Sequence, residues 1–477
     1  MKVQLDERGR LSPSTVSSSV AAMATMFSRV PSPVRARAAP RRAVRPGASS
    51  SRFSRFPRVA ASADASPAEA SPPKVVIFGG GIQGVATAYF LAQRGVPSTI
   101  VERVEIAAAA SGKAGGFLAG GWGDGGVTQE LHRVSFSLHE SLAETLKLET
   151  YRKIPTLSVA GGASLPDQRP PVSWLDGDVA RAELMDEHTA QVTPAELVRR
   201  MHEESQRVPG ARTILRAEAT EVLLDANDAV TGVEIRHHND DESESNANVE
   251  NAIERIECDV VVVAMGPWSC RATDWFDGLE VPMTGIKSVS LLFDASRAVA
   301  EEPAALFCAE DANACHLEVY PRSTGEVYIC GCGGSEYVDE TRLRPGGDLD
   351  SAARVTTDVS RVKAASASFK GLSASVGKNG PKKTQTCMRP CVTDALPVIG
   401  PVPGYEGAFI NCAHNCWGIL WAPASGKALA ERILDGAAKT VRLEPFSPRR
   451  FFSVTKKKNA GNGRGRKMRE RNVGEQW

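Results

Sequence analysis

The strongest pattern in the sequence begins with an uninterrupted apolar run at residues 75–78, just after Lys74, and this run is rich in β-branched side chains. Apolar side chains at successive positions predict a parallel strand that is covered on both faces. A glycine-rich turn follows, and the apolar spacing of residues 85–94 predicts a helix that ends at Gly95. A second apolar run, Ser98–Glu102, predicts the next strand. Together these patterns predict a βαβ unit.

A different pattern occupies the middle of the chain. Residues 281–293 and 315–332 alternate between apolar and polar positions, which is typical of antiparallel strands. Gly325 predicts the turn of a hairpin within the second range. We therefore expect an antiparallel sheet here, with Tyr320 and Arg322 near its mouth.

The overall composition excludes several classes of protein. The chain has 477 residues, of which 42% are hydrophobic and 24% charged, as expected for two or three globular domains. Its 57 Lys and Arg against 56 Asp and Glu give a net charge of +1, so no overall field favours nucleic acid as a partner. No apolar run reaches the roughly 18 residues of a transmembrane helix. The 10 cysteines include no Cys-x-x-Cys pair, which favours free thiols over disulfides and predicts no metal site.

The turn after the first strand has the spacing of a dinucleotide-binding fingerprint. Gly79 permits the tight turn, Gly81 lets the backbone approach a pyrophosphate, and Gly84 lets the helix pack closely on the strand. The helix N-terminus offers N–H groups and partial positive charge to the phosphates. Glu102 ends the second strand, where it would accept hydrogen bonds from ribose hydroxyls. Because strand, turn, helix and acid are all in register, we prefer a dinucleotide site to a purely structural turn.

Three later segments resemble the D-amino acid oxidase family of flavoproteins, which includes glycine oxidase and sarcosine oxidase. They are residues 110–118, a loop rich in Ser and Gly; residues 258–269, an apolar run that ends in a glycine turn; and residues 389–426, the longest match. The matches occur in the family's order. The resemblance implies that the dinucleotide is FAD and that the flavin takes a hydride from an amine or amino acid. Oxygen or another acceptor would then receive the electrons.

The resemblance also implies the domain organisation. We expect an α/β fold in which a Rossmann-type FAD-binding domain is interrupted by an α+β substrate domain with a mixed or antiparallel sheet. The FAD-binding segments are expected at residues 74–150, 191–280 and 386–452, and the substrate-domain segments at residues 151–190 and 281–385.

The residues expected to contact FAD combine the fingerprint with the family match. They are Gly79, Gly81, Ile82, Gln83, Gly84, Glu102, Arg103, Ser111, Gly115, Gly116, Val222, Gly266, Trp268, Cys387, Trp417, Gly418 and Ile419. The resemblance implies that the backbone of Val222 meets the adenine, and that the helix beginning near Trp417 directs N–H groups toward the flavin. Cys387 matches the cysteine that is bonded to the flavin in sarcosine oxidase. A small buried thiol is the alternative.

The substrate end of the predicted site depends mainly on Arg389. It stands where glycine oxidase-like proteins carry an arginine that pairs with the substrate carboxylate, and a structural salt bridge is the alternative. His414 is the acid–base candidate, and a loop residue held by backbone contacts is the alternative. The lysine that helps oxygen react in sarcosine oxidase has no counterpart near Ile329, although Lys287 could substitute for it. An oxidase, a dehydrogenase that reduces a carrier or quinone, and a non-catalytic flavin-binding protein with a regulatory or trafficking role all remain open.

Three segments have compositions unlike a folded core. Residues 23–60 contain arginine but no Asp, Glu or Lys, which resembles a plastid transit peptide that starts at Met23. We therefore expect residues 1–73 to be a disordered leader and the protein to enter the plastid stroma; a mitochondrial address and a basic tail with no address are the alternatives. Residues 239–251 predict a solvated hairpin insertion. Residues 453–477 predict a basic disordered tail rather than a nucleic-acid arm.

Overall fold

The computed structural model describes residues 71–163, 169–238 and 252–454. The acidic insertion and nearly all of the predicted leader and of the basic tail lie outside these described residues.

The described residues form alternating strands and helices. The strands are β1 (Val75–Phe78), β2 (Ser98–Glu102), β3 (Phe117–Ala119), β4 (Arg152–Gly161), β5 (Val179–Gln191), β6 (Arg212–Leu215), β7 (Ala217–Leu224), β8 (Val230–His237), β9 (Ile253–Glu257), β10 (Val260–Val263), β11 (Thr284–Phe293), β12 (Ala305–Cys308), β13 (Glu318–Pro321), β14 (Val327–Cys330), β15 (Glu336–Val338), β16 (Lys383–Cys391), β17 (Val398–Pro401) and β18 (Ala408–Cys412). The α-helices are α1 (Ile82–Ala92), α2 (Ala110–Lys113), α3 (Gln129–Thr145), α4 (Pro194–Ser205), α5 (Ala272–Trp275), α6 (Arg297–Glu301), α7 (Glu340–Leu343), α8 (Val359–Leu372), α9 (Ala374–Gly377) and α10 (Gly418–Asp435). Short 3₁₀ turns occupy Gly266–Arg271, Ala352–Arg354, Asn415–Trp417, Glu444–Phe446 and Pro448–Phe451.

A six-stranded sheet, in the order β17-β18-β10-β1-β2-β6, contains the predicted βαβ unit. Strand β1 pairs in parallel with β2 on one side and with β10 on the other. Val75 and Ile77 pack into the core on one face of the sheet, whereas Val76 and Phe78 pack on the opposite face. This burial on both faces explains why the strand carries no polar position.

Different layers cover the two faces of this sheet. Helices α1, α3, α4 and α10 supply the apolar side chains of one face. The three-stranded sheet β7-β8-β9 and the 3₁₀ turn at Gly266–Arg271 cover the other. The Rossmann-type unit is therefore one sheet between a helical layer and a small antiparallel sheet.

A nine-stranded mixed sheet forms the other half of the molecule. Its strands β13 and β14 form the predicted antiparallel hairpin, and Gly325 makes the turn with a φ of 83°. The long strand β11 pairs antiparallel with β14, β15 and β16. Most of this sheet comes from residues 151–190 and 281–385, but β3 and the end of β16 belong to the FAD-binding segments of the prediction. The predicted fold class, a Rossmann-type α/β unit interrupted by a mixed-sheet unit, is confirmed.

Candidate active site

One elongated cavity is lined by residues of both large sheets. The Rossmann-type sheet contributes the carboxyl ends of β1, β2 and β10, which is where ligands bind in parallel α/β sheets. All of the residues expected to contact FAD, together with Arg389 and His414, line the cavity except Gly84 and Val222. We call the part around Gly81 and Glu102 the cofactor end, and the part around Tyr320 and Arg389 the substrate end.

The glycine turn at the cofactor end leaves no room for side chains. A Cβ on Gly79 would lie 2.4 Å from the carbonyl oxygen of Ala264, and a Cβ on Gly84 would lie 2.1 Å from that of Gly79. Gly84 therefore packs helix α1 on the turn, as its predicted role requires. At Gly81 the nearest atom to a Cβ is Ser111 Oγ at 3.2 Å, so this position opens on the cavity.

Helix α1 directs its N-terminus at the cavity without a side-chain cap on Gly81. Ser111 Oγ accepts a hydrogen bond from the N–H of Ile82 at 2.9 Å and so ties the Ser/Gly-rich loop to the helix. The unpaired N–H groups and partial positive charge of the first turn suit a phosphate. The loop then continues through Gly115 and Gly116, where a Cβ would lie 2.2 Å from the Tyr320 ring and 1.8 Å from the carbonyl oxygen of Val192 respectively.

Glu102 is oriented by the turn that it faces. Its carboxylate accepts hydrogen bonds from the N–H groups of Gly80 at 2.8 Å and Val104 at 2.9 Å. Burial raises the pKa of this carboxyl group, while these backbone donors oppose the rise. The remaining lone pairs are free to accept from ribose hydroxyls.

The part of the cavity beyond Glu102 is organised by charge pairs that the sequence did not predict. Arg103 donates to the carbonyl oxygen of Asp350 at 2.8 Å and lies 3.4 Å from the carboxylate of Glu218. Trp268 Nε1 donates to the carbonyl oxygen of Leu349 at 2.9 Å. These contacts bring a loop of the mixed-sheet unit over the cofactor end, where Asp350 lines the cavity.

The side chain of Val222 does not face the cavity, and the contact of its backbone with the adenine stays a prediction. Its side chain is buried in the hydrophobic core beneath β7, and it does not line the cavity. Ala217, Glu218 and Ala219 of the same strand do so instead. The first residues of strand β7 therefore line the cavity, and Val222 further along the strand does not.

Helix α10 supplies a second N-terminus to the cavity, through Trp417, Gly418 and Ile419, and it also lacks a side-chain cap. Gln83 Nε2 donates to the carbonyl oxygen of Gly418 at 2.9 Å, which joins the two helices. The other amide atom, Gln83 Oε1, is buried and has no partner among the described residues. It is an acceptor that a bound group with an N–H could satisfy.

A buried histidine stabilises the first turn of α10. Pro423 lies inside the helix and has no N–H, so the carbonyl oxygen of Ile419 lacks its usual donor. His139 Nε2 lies 3.0 Å from that oxygen and 3.1 Å from the carbonyl oxygen of Leu420, so it must carry the proton. Burial lowers the pKa of His139 to about 4, which keeps the imidazole neutral. The sequence signal for this contact was the proline within the helix.

Arg389 lies at the substrate end, on strand β16. It forms no ion pair within 4.0 Å among the described residues, and its Nε atom is buried without a partner. The geometry therefore does not show the structural salt bridge that was the alternative role for Arg389. A guanidinium that faces a cavity without a counterion is suited to an incoming carboxylate.

His414 lines the cavity but is held as a structural residue. It is almost fully buried, and its Nε2 atom lies 3.1 Å from Ser425 Oγ. Burial lowers the pKa of His414 to about 3. The imidazole is therefore neutral at physiological pH and does not donate a proton as an imidazolium, which favours the alternative of a structural residue; a role as a base stays a prediction.

Four other predictions concern the substrate end. Cys387 lines the cavity as a free thiol, and burial raises its pKa, so little of the nucleophilic thiolate is present at neutral pH. Lys287 lies outside the cavity and pairs with Glu336 at 2.9 Å, so it does not replace the missing lysine. Arg322 is also outside; it is buried with its guanidinium 5.8 Å from the centre of the Tyr328 ring. Tyr320 lines the cavity as expected.

The substrate end also contains an aromatic wall around Tyr320 and an acid, and the sequence analysis missed both the acid and the other members of the wall. Phe117 stacks on Tyr320 with ring centres 5.2 Å apart, and Phe307 meets Phe117 edge-on at 5.2 Å. Glu318 faces the cavity beside them. Strand β12 pairs with β13 so that Phe307 lies opposite Glu318, whereas Phe117 comes from the distant strand β3. Nothing in the local spacing of Phe117, Phe307 or Glu318 marked them.

These features fit the dinucleotide that the fingerprint predicts. The cavity offers two uncapped helix N-termini, a ribose-binding carboxylate and an unpartnered amide oxygen. In the part of the chain that the structure describes, no group of three or more His, Cys, Asp or Glu could hold a metal ion. Nor does any helix in those ranges have the length and apolar content to cross a membrane.

Comparisons with known proteins agree with this geometry. A family model described as "FAD dependent oxidoreductase" matches residues 74–432. A Schizosaccharomyces pombe protein with the general description oxidoreductase is 29% identical over 399 residues, which cover 78% of this chain and 97% of that protein. Glycine oxidase from Pseudomonas putida is 24% identical over 384 residues, covering 79% and 98%. The structure of L-amino acid deaminase from Proteus myxofaciens is similar in fold, with a TM-score of 0.63 at 17% identity over 81% of this chain and 95% of its own.

Proposed function

The chain belongs to the FAD dependent oxidoreductase family, and we propose that it binds FAD in the cavity and oxidises an amine or amino acid that carries a carboxylate. The observation that carries the substrate class is Arg389, a cavity-facing guanidinium without a carboxylate partner among the described residues. Relatives that act on amino acids, such as the glycine oxidase of Pseudomonas putida, support the same reaction class.

The proposed placement of FAD follows from the donors and acceptors of the cavity. The N-terminus of α1 would hold the pyrophosphate, and Glu102 would accept hydrogen bonds from the adenosine ribose. The N-terminus of α10 would face the flavin, where its dipole favours negative charge. The flavin, when bound, supplies an acceptor for a hydride.

The chain's own residues bind and orient the substrate. Arg389 would fix the carboxylate, which positions the carbon to be oxidised. The wall of Phe117, Tyr320 and Phe307 excludes water from that part of the cavity. His414, being neutral, takes no part in proton transfer as an imidazolium.

A second candidate function is a dehydrogenase that passes electrons to a carrier or quinone. The observation in its favour is that no lysine lines the cavity among the described residues. A non-catalytic flavin-binding protein is disfavoured because such a protein has no need for an unpaired guanidinium at the substrate end.

Anaerobic titration of the purified full chain tests the proposal. Glycine, sarcosine and proline are added in turn, and we expect one class to bleach the flavin absorbance. A colourless protein without flavin would refute the proposed cofactor. A yellow protein that no amine bleaches would instead favour the non-catalytic role. Reoxidation by oxygen, compared with reoxidation by a quinone, distinguishes an oxidase from a dehydrogenase.

Two finer proposals have separate tests. We propose that FAD is held without a covalent bond, because the Cys387 thiol has a raised pKa; flavin that stays with the acid-denatured protein would contradict this. We also propose delivery to plastids on the composition of residues 23–60. A fluorescent protein fused to residues 1–73 should enter plastids, and entry into mitochondria would identify the alternative address.

A further inference from the structure

A half-buried carboxylate, Glu318, faces the same cavity as Arg389 from a different strand. Strands β13 and β14 pair so that Glu318 lies opposite Cys330 and Tyr320 lies opposite Tyr328. All four side chains line the cavity, whereas the intervening residues of both strands are buried in the core. The alternation of the strands therefore directs Glu318 toward the substrate end.

The neighbours of Glu318 hold its carboxylate without neutralising it. The Tyr320 hydroxyl donates a hydrogen bond to Glu318 Oε2, and Cys330 Sγ donates to the same oxygen at 3.5 Å. Both donors are neutral, because burial raises the pKa of Tyr320 and of Cys330 well above their ordinary values. Among the described residues, no Lys or Arg lies within 4.0 Å of the Glu318 carboxylate.

Arg389 places the opposite charge in the same cavity. Glu318, Cys330 and Arg389 all line this cavity, and Cys330 Sγ lies 3.5 Å from Glu318 Oε2. Burial and the Glu318 carboxylate raise the pKa of the Cys330 thiol, whereas the Arg389 guanidinium lowers it. Glu318 and Arg389 do not form an ion pair with each other within 4.0 Å. Two opposite charges that are partly removed from water and not paired are best compensated by a ligand that carries both.

We propose that Glu318 binds the positively charged nitrogen of the substrate whose carboxylate pairs with Arg389, so that the substrate binds as a zwitterionic amino acid. This inference rests on the proposed function and adds the residue that selects for the nitrogen. The rings of Phe117, Phe307 and Tyr320 next to Glu318 support it, since aromatic faces attract alkylated ammonium groups. Tyr320 acts as a positioning residue for Glu318 through its hydroxyl.

A matched pair of ligands isolates the nitrogen. 2-Aminoisobutyrate and pivalate share one branched skeleton and one carboxylate, but only 2-aminoisobutyrate carries an ammonium group. Neither has a hydrogen on the carbon next to the carboxylate, so neither can reduce the flavin there. Binding to the FAD-loaded full chain is measured by the perturbation of the flavin absorbance spectrum.

We expect the unmodified protein to bind 2-aminoisobutyrate more tightly than pivalate. Glu318→Gln should weaken 2-aminoisobutyrate binding about ten-fold and change pivalate binding by less than about two-fold. Arg389→Met should weaken both ligands. The matched control Glu336→Gln removes a carboxylate that pairs with Lys287 outside the cavity, and it should change neither.

The positioning role of Tyr320 has its own readout. Tyr320→Phe keeps the ring but removes the hydroxyl that orients Glu318, so it should reduce the preference for 2-aminoisobutyrate over pivalate while flavin content stays the same. Glu318→Asp keeps the charge and should retain part of the preference. If Glu318→Gln fails to fold, Glu318→Asp tests the role of Glu318 in its place.

Three results would overturn the role of Glu318. They are an equal change of both dissociation constants in Glu318→Gln, no change in either, and no preference for 2-aminoisobutyrate in the unmodified protein. In each case amino acids could still bleach the flavin, which would leave the proposed function standing. Failure of the proposed function is distinguishable, because then no amino acid bleaches the flavin of the unmodified protein.

Discussion

At the cofactor end of the cavity, Gly79, Gly84 and Glu102 belong to one βαβ unit and are close in sequence. At the substrate end, Glu318 and Arg389 come from strands β13 and β16, which are separated by a helical segment and lie in a sheet of mixed pairing. The first region is suited to phosphate and ribose binding, which would depend mainly on the backbone of the turn and helix and on one carboxylate. The second depends on which side chains face the cavity, and this can vary without changing the fold.

This difference predicts that backbone changes should dominate at the cofactor end. Gly84→Ala places a Cβ 2.1 Å from the carbonyl oxygen of Gly79, so helix α1 must move off the turn. We expect loss of bound FAD and a decrease of about 3 kcal/mol in the free energy of unfolding. Flavin absorbance per protein and urea denaturation measure the two effects.

Gly95→Ala is the control for that variant. Gly95 has a positive φ, 73°, which Gly84 does not, and a Cβ there would meet no atom within 4 Å. It should cost about 1 kcal/mol of stability through backbone strain and leave FAD binding intact. Full flavin content in Gly84→Ala would show that the close packing of this turn is not what holds the cofactor site together.

At the substrate end, the loss of one side chain should change catalysis and leave the fold intact. Arg389→Met should lower kcat/KM for a carboxylate-bearing substrate about 100-fold, because the substrate carboxylate then loses its charged partner. Rates of anaerobic flavin bleaching give this value. Lys287→Met, which removes a cation outside the cavity, is the control and should leave the rate unchanged. Equal rates in Arg389→Met and the unmodified protein would remove Arg389 from the site.

Helix α10 also serves the cofactor end, but its first turn depends on a tertiary contact with His139. The pKa of His139 is about 4 in the folded protein against an ordinary 6.5, so the unfolded chain takes up the proton first as the pH falls. The stability contributed by neutral His139 is therefore present above pH 6.5 and is lost on going toward pH 4. Between pH 6.5 and pH 5 we expect a loss of about 2 kcal/mol from this residue.

His139→Gln tests this pH dependence, since an amide can donate to the same carbonyl oxygens but does not titrate in this range. Urea denaturation at several pH values should show a shallower loss of stability below pH 6.5 in the variant. His414 titrates in the same direction and remains in both proteins, so only the difference between them reports on His139. Parallel curves would contradict the assignment.

The smallest effect is expected at Glu102. Glu102→Gln keeps one carbonyl oxygen as an acceptor but loses the charge and one of the two backbone hydrogen bonds. FAD affinity should fall about ten-fold, or ~1.4 kcal/mol, as measured by flavin titration of the apoprotein. If FAD affinity fell as much in Glu102→Gln as in Gly84→Ala, cofactor binding would depend mainly on the carboxylate and not on the backbone turn.

The sequence by itself determined the cofactor end and the class of fold. The run at residues 75–78, the glycine spacing and Glu102 are local features, and local sterics and hydrogen bonding specify a tight turn wherever it occurs. The lining of the cavity by strand β7 was not predictable for the complementary reason. Ala217, Glu218 and Ala219 line the cavity and Val222 does not, because where β7 meets the cavity depends on how the small sheet packs on the large one.

Only the tertiary structure decided the substrate end and the state of its ionisable groups. Burial made His414 a neutral structural residue, an ion pair took Lys287 away from the cavity, and strand pairing brought Glu318 and Tyr320 to the side where Arg389 lies. Desolvation and side-chain direction depend on neighbours that are distant in the chain. Hence the sequence indicated which dinucleotide fold this is, and the packing of the mixed sheet determined which charges face the substrate.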